Sequence, residues 1–181
     1  MYEKEILLLK KREINLEKGL TDFQIEEVEN RYNIIFPKSY KTFLKEVYPV
    51  GEGFCKWLDI SAENVNRIKK ILKFPYESII ENLSEIIWNK KWGKEPKTLE
   101  EKKEIINNIM QTSPKIIPVY AHRYMVDDGI DDDPPILSIY YTDIIVYENT
   151  LKDYLKREFD KNNISKRIDT HIDFWSDIEE K

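Results

Sequence analysis

The stretch that most constrains the fold is residues 115–159, where three apolar runs are followed by a helical pattern. Each run has the length of a strand and is rich in β-branched and aromatic residues. Because proline has no backbone N–H to donate, Pro118 predicts that the first run is an edge strand or the start of one. Only Thr142 and Asp143 separate the other two runs, which predicts a hairpin or one bent strand. The predicted strands are 116–120, 136–141 and 144–147.

A helix predicted at residues 150–159 closes this stretch. Thr150 followed by Asp153 resembles a capping box, in which side-chain oxygens satisfy the free amides of a first helical turn. A small sheet with a helix laid on it is therefore predicted, and the rest of the chain must pack around it. The apolar side chains of this helix share one stripe: Leu151, Tyr154, Leu155 and Phe159.

Helical patterns dominate the rest of the chain. Residues 1–18 are compatible with a helix that Gly19 ends, and residues 54–60 are predicted to be a strand. Helices, one strand, more helices and then clustered strands predict an α+β fold with a single, mainly antiparallel sheet packed with helices. The other predicted helices are 22–33, 38–48, 61–72, 75–88 and 98–110.

A polar tail, 161–181, follows, and we expect its last residues to fray. Its predicted docking points are Ile168, Ile172, Phe174 and Trp175.

Size and composition predict one domain, 1–181, because 41% hydrophobic residues in 181 can build a core without metals or disulfides. Cys55 is the single cysteine, which excludes an internal disulfide and fits a reducing compartment. The run of four apolar residues, 6–9, is too short for a signal peptide or a membrane span. We therefore expect a cytoplasmic protein without a membrane partner.

Negative charge is concentrated in one place. The net charge is −5, and residues 120–148 carry seven carboxylates against one cation, Arg123. Such a field repels nucleic acid and attracts a basic protein partner, and exposed tyrosines are common interface anchors. The residues predicted to bind a partner are Asp127, Asp128, Asp131, Asp132, Asp133, Tyr141, Asp143, Tyr147 and Glu148.

The acidic loop, residues 127–133, has three interpretations that the sequence leaves open. It is a solvated turn, a surface that faces a partner, or a loose site for a divalent ion. An EF-hand is excluded, because Tyr124 stands five places before Gly129, where the first oxygen ligand belongs.

Signals for catalysis are weak. His122 has no recognisable catalytic partner in the sequence, and Cys55 with His122 or His171 lacks any family-type signature. One cysteine and two distant histidines make a poor zinc set, and no phosphate loop, nucleophile elbow or HExxH motif occurs. We therefore predict no enzyme activity, no cofactor and no metal. A metal-dependent hydrolase that uses His122 and the aspartates is the less favoured alternative.

Two blocks of sequence resemble a known family. The first, within 20–60, contains GLTDFQIEEVENRYNIIFPKSYKTFLKEV followed by Gly51, Gly53 and Trp57. The second, within 115–160, contains IPVYAHRYM and YYTDIIVYENTLKDYLKREF. Together they are similar to the SMI1/KNR4 (SUKH) superfamily of the bacterial toxin-immunity type. The VGEG turn has fewer glycines than is usual in that family, and DDGIDDDPP is an individual elaboration.

This resemblance implies a binding domain without catalysis. Bacterial members resemble immunity proteins, which bind and neutralise a toxin, often a nuclease, by occluding its active site. An acidic surface with aromatic anchors would fit the basic cleft of such a toxin. The alternative that the resemblance also implies is a regulatory or scaffold module without a toxin partner.

Overall fold

The computed structural model describes residues 1–160 and 168–181, and within them the chain folds as six α-helices and two antiparallel sheets. The predicted α+β class is confirmed, and the predicted single sheet is wrong. None of the described helices is long and apolar enough to cross a membrane. The helices are α1 (Glu3–Lys11), α2 (Asp22–Tyr32), α3 (Lys38–Glu46), α4 (Ala62–Glu81), α5 (Leu99–Thr112) and α6 (Leu151–Phe159). The strands are β1 (Asn15–Lys18), β2 (Val47–Val50), β3 (Lys115–Tyr120), β4 (Arg123–Asp127), β5 (Ile136–Tyr140) and β6 (Asp143–Glu148).

The larger sheet is a meander in the order β3-β4-β5-β6. Its edge strand β3 contains Pro118, as predicted, and β5 and β6 form the predicted hairpin, with Tyr140 opposite Asp143. Strand β4 is missing from the prediction, because the polar residues His122 and Arg123 interrupt the apolar composition at its start. The meander thus has four strands where the composition showed three.

Helices cover both faces of the meander. Alternate side chains point to opposite faces of a strand, so each strand supplies two cores. Ile117 and Met125 join a core built with α1, α2, α3 and α6. Ile116 and Val126 join a second core with α5, the end of α4 and the tail. The apolar side chains of the sheet are therefore used for folding on both faces.

The second sheet corrects two predictions in the first third of the chain. Strand β1 lies where a helix was predicted, because α1 ends at Lys11, and β1 pairs with β2. The predicted helix 38–48 ends at Glu46, since the β-branched and aromatic residues of VYPV continue as β2.

Residues 54–60 form turns and not the predicted strand. Phe54 and Trp57 are buried there, but no neighbouring strand pairs with this segment in the described structure. The Asn64 side chain instead donates to the carbonyls of Lys56 and Asp59, at 2.8 and 2.7 Å. One side chain therefore satisfies backbone groups that a sheet would otherwise have paired.

Helix α4 runs through Pro75, although the sequence predicted two helices separated there. Proline lacks the amide that would bond to the carbonyl of residue 71. In the structure the Tyr124 hydroxyl, from β4, donates to the Ile71 carbonyl at 3.3 Å. A side chain from the sheet thus replaces the missing helical hydrogen bond and lets the helix continue to Glu81.

The tail is docked and not frayed at its end. Phe174 and Trp175 are buried, as predicted, and Ile168 and Ile172 are partly buried. The Ile87 amide donates to the Glu179 carbonyl at 2.7 Å, and the Lys181 amide donates to the Glu85 carbonyl at 2.9 Å. The first part of the predicted tail, 161–167, lies outside the described residues.

Replacing Tyr124 with phenylalanine is expected to lower the free energy of unfolding by about 1 kcal/mol, because the Ile71 carbonyl loses its donor. In a Pro75→Ala background the new backbone amide bonds to that carbonyl, so the same substitution should cost clearly less. Urea unfolding of the four proteins in this double-mutant cycle measures the difference. An equal cost in both backgrounds would contradict the replacement.

Candidate functional site

The structure divides the predicted partner-binding residues between the two ends of the meander. The acidic loop joins β4 to β5 at one end, and Glu148, opposite Ile136, lies at that end too. Tyr141 and Asp143 belong to the hairpin turn at the other end. The five residues of β5 separate the two ends by roughly 15 Å. The predicted surface is therefore two surfaces.

Backbone amides compensate the crowded aspartates of the acidic loop. The Asp128 carboxylate accepts from the amides of Ile130, at 2.9 Å, and Asp131, at 3.0 Å. These two hydrogen bonds lower the pKa of Asp128 below its ordinary value. The Asp131 carboxylate accepts from the Asp133 amide at 3.0 Å. The backbone of the loop thus stabilises the negative charge of Asp128 and holds the Asp131 carboxylate in place.

The same loop connects the beginnings of two helices. The Asp133 carboxylate accepts from the Leu151 amide at 3.0 Å, in the first turn of α6. The Asp132 carbonyl accepts from the Ser39 amide at 2.8 Å, in the first turn of α3. Free amides at a helix start favour such acceptors, and the helix dipole favours negative charge there. Part of the loop is therefore structural.

A groove of about 870 Å³ lies between the acidic loop and the tail, and we call it the acidic groove. Its cations are already engaged: Lys91 pairs with Asp177 at 2.8 Å, and Lys115 donates to the carbonyl of Met110 at 3.2 Å, near the end of α5. The carboxylates that line this groove are Asp127, Asp128, Asp173 and Asp177.

Four carboxylates of the acidic loop have no ion pair with any lysine or arginine in residues 1–160 and 168–181: Asp127, Asp128, Asp131 and Asp133. Burial, opposed by the Gly129 amide and reinforced by the neighbouring Asp128, raises the pKa of Asp127 above its ordinary value. An external cation would relieve this unfavourable field. The acidic groove therefore carries negative charge at Asp127 and Asp128 that no described lysine or arginine pairs with.

Tyr147 and Glu148 are engaged within the protein. The guanidinium carbons of Arg123 and Arg157 lie 4.0 and 3.8 Å from the centre of the Tyr147 ring. Arg157 also lies 3.5 Å from the Glu148 carboxylate. Such cation–π contacts fix the ring in place. Through Arg157, these contacts join β6 to α6 at the acidic end of the meander.

The opposite end of the meander carries exposed aromatic side chains, which form a groove of about 380 Å³. Tyr141 lies 5.5 Å from Phe74 and 5.1 Å from Tyr140, measured between ring centres. Phe74, Tyr140 and Tyr141 are 37%, 62% and 48% exposed. We call this the aromatic groove, and the residues that line it include Lys70, Ile71, Phe74, His122, Tyr140 and Tyr141.

The aromatic groove is held by two turns with unusual backbone geometry. Ala121 and Tyr141 have φ values of +48° and +56°, in the left-handed region that side chains other than glycine rarely adopt. Such strain persists only where surrounding contacts fix it, and it is frequent at functional sites. The sequence singled out Tyr141 as a partner-binding residue and His122 only as a weak catalytic candidate, and it did not predict that Phe74 and Tyr140 lie beside them. The adjacent pair of tyrosines was the available signal, because alternation along a strand exposes one of them.

Titratable groups are scattered. In the described part of the chain no three His, Cys, Asp or Glu side chains lie together where they could hold a metal ion. His122 packs against Tyr140, at the opposite end of the sheet from the acidic loop. Burial and the nearby Arg123 lower the pKa of His122. Burial raises the pKa of the Cys55 thiol to about 12.

No protein-family model, curated protein or solved structure matches this chain. The resemblance to SMI1/KNR4 proteins therefore depends on the two sequence blocks alone.

Replacing Asp133 with alanine is expected to lower the free energy of unfolding by about 1 kcal/mol, because the first turn of α6 loses a capping carboxylate. The matched control is Asp132→Ala, which removes only an ion pair with Lys38 whose two side chains are each 71% exposed. Exposed pairs contribute little, so this control should unfold almost as the wild type does. Equal urea midpoints for the two variants would show that Asp133 does not anchor α6.

Proposed function

We propose that this chain is a binding protein of the SMI1/KNR4 immunity type, which neutralises a bacterial toxin by covering its active site. The acidic end of the meander is the surface that makes this contact. Two features support the proposal: the sequence blocks that resemble the family, and the acidic groove with its unpaired carboxylates. The chain itself performs no chemistry in this proposal.

The observation that carries the proposal is that hydrogen bonds fix the acidic loop while most of its carboxylates form no ion pair within the described residues. Asp132 and Asp133 attach it to the starts of α3 and α6, which come from the two blocks that resemble the family. Asp127, Asp128 and Asp131 form no ion pair with a lysine or arginine among the described residues. A surface that is ordered before binding loses little entropy on association, and a concentrated charge steers an oppositely charged partner. A basic nuclease cleft has the complementary chemistry.

A scaffold module is the second candidate function. The aromatic groove favours it, because it offers a separate surface at the other end of the same rigid sheet. A scaffold would hold one partner at each end. A gene neighbourhood without a toxin would favour this candidate.

The triple variant Asp128→Asn, Asp131→Asn, Asp132→Asn removes three charges. Each asparagine keeps a side-chain oxygen that can accept the hydrogen bonds of the loop. We expect this triple variant to bind the toxin encoded beside it at least 10-fold more slowly at low salt, with little change in unfolding. Stopped-flow association at several salt concentrations measures the effect. The control, Asp143→Asn, removes a charge at the opposite end and should leave the rate unchanged. Equal rates for both variants would exclude the acidic loop as the contact surface.

Growth of a bacterial host tests the function itself. Co-expression of this chain with the neighbouring toxin domain should restore growth that the toxin alone prevents. Unrestored growth, with both proteins folded and expressed, would contradict the immunity proposal.

A further inference from the structure

Helix α4 carries a run of cations beside the aromatic groove, and one of them, Lys70, lines it. No carboxylate occurs between Glu63 and Glu77. Within residues 1–160 and 168–181, none of the cations in this part of α4 forms an ion pair. A ligand of this groove should therefore combine an apolar group with negative charge. The exposed cations are Arg67, Lys69, Lys70 and Lys73.

The acidic loop has this combination. Ile130 is 89% exposed, the largest exposure of any large apolar side chain in the described structure. Asp128 and Asp131 stand on either side of it, and their carboxylates are fixed by backbone amides. An isoleucine held in water between aspartates gains from burial in an apolar site, provided that the site also offers cations to the carboxylates.

We propose that the aromatic groove binds the acidic loop of a second copy of this chain. Ile130 of one copy lies against the rings of Phe74 and Tyr141 in the other. Asp128 and Asp131 lie beside the cations of α4, Lys70 first. The two surfaces are complementary in charge and in apolar character, and each belongs to an ordered part of the fold.

The positions of the two surfaces determine the kind of assembly. They lie at opposite ends of one sheet, so a copy that inserts its loop keeps its own groove open. The loop and the groove are different surfaces, so the contact between them is heterologous, and its head-to-tail repetition produces open chains or a ring. A single loop in a groove is a small interface, so the assembly should be weak and should dissociate as salt screens the charges.

Self-association and partner binding use the same loop. A basic partner at the acidic end would compete with a second copy, so assembly would fall when the partner is bound. The self-association proposal does not depend on the proposed function, because this chain alone is sufficient to test it.

Two single substitutions separate the two halves of the contact. Ile130→Asp removes the apolar side chain that the loop offers to the groove. Because Ile130 is 89% exposed, the fold should be unaffected. Tyr141→Asn removes a ring from the groove, and asparagine tolerates the left-handed backbone at this position better than tyrosine does. Circular dichroism and thermal unfolding establish that both variants are folded before association is measured.

Sedimentation velocity at low salt is the test. The wild-type chain should show a sedimentation coefficient that rises with concentration, and each variant alone should stay monomeric. An equimolar mixture of the two variants should form a 1:1 dimer and nothing larger, because only one intact loop and one intact groove remain. The proposal is overturned if the wild type stays monomeric up to about 1 mM, if either folded variant associates as the wild type does, or if the mixture stays monomeric.

Discussion

Burial of the meander on both faces is the constraint on which the rest of the structure depends. Side chains alternate along each strand, so Ile117 and Met125 enter one core while Ile116 and Val126 enter the other. Helices then cover both faces, and the long α4 is tolerated only because Tyr124 satisfies the backbone beside Pro75. The two ends of the meander remain accessible, together with part of its edge strand β6, where Ile145 is 50% exposed.

Local contacts hold both ends of the meander, but the unfavourable interaction that these contacts offset differs between the two ends. At one end the difficulty is repulsion, and backbone amides stabilise the charges of Asp128, Asp131 and Asp133. At the other end the difficulty is exposed apolar surface, and ring contacts hold Phe74, Tyr140 and Tyr141 against each other. Each end is ordered before any partner arrives, which reduces the entropy lost on binding.

Local signals in the sequence predicted the elements that local interactions form. The predicted start of α6 is present, where the Asp153 amide donates to the Thr150 hydroxyl at 3.2 Å, because these two residues are only three positions apart. Contacts between separate segments were missed. Strand β1 depends on its pairing with β2, and in residues 54–60 the Asn64 side chain, instead of a neighbouring strand, donates to the backbone. The site follows the same rule. The acidic loop is visible as a run of aspartates, whereas the aromatic groove needs Phe74 to meet a turn 67 residues later.

We propose that this chain acts by binding protein through the acidic end of its meander. Amide hydrogen exchange of the chain, free and bound to the toxin domain of the proposed function, tests this most directly. We expect slower exchange on binding in residues 127–133 and in 171–174, because residues of both segments line the acidic groove. Slower exchange confined to other surfaces, with the acidic loop unchanged, would contradict it.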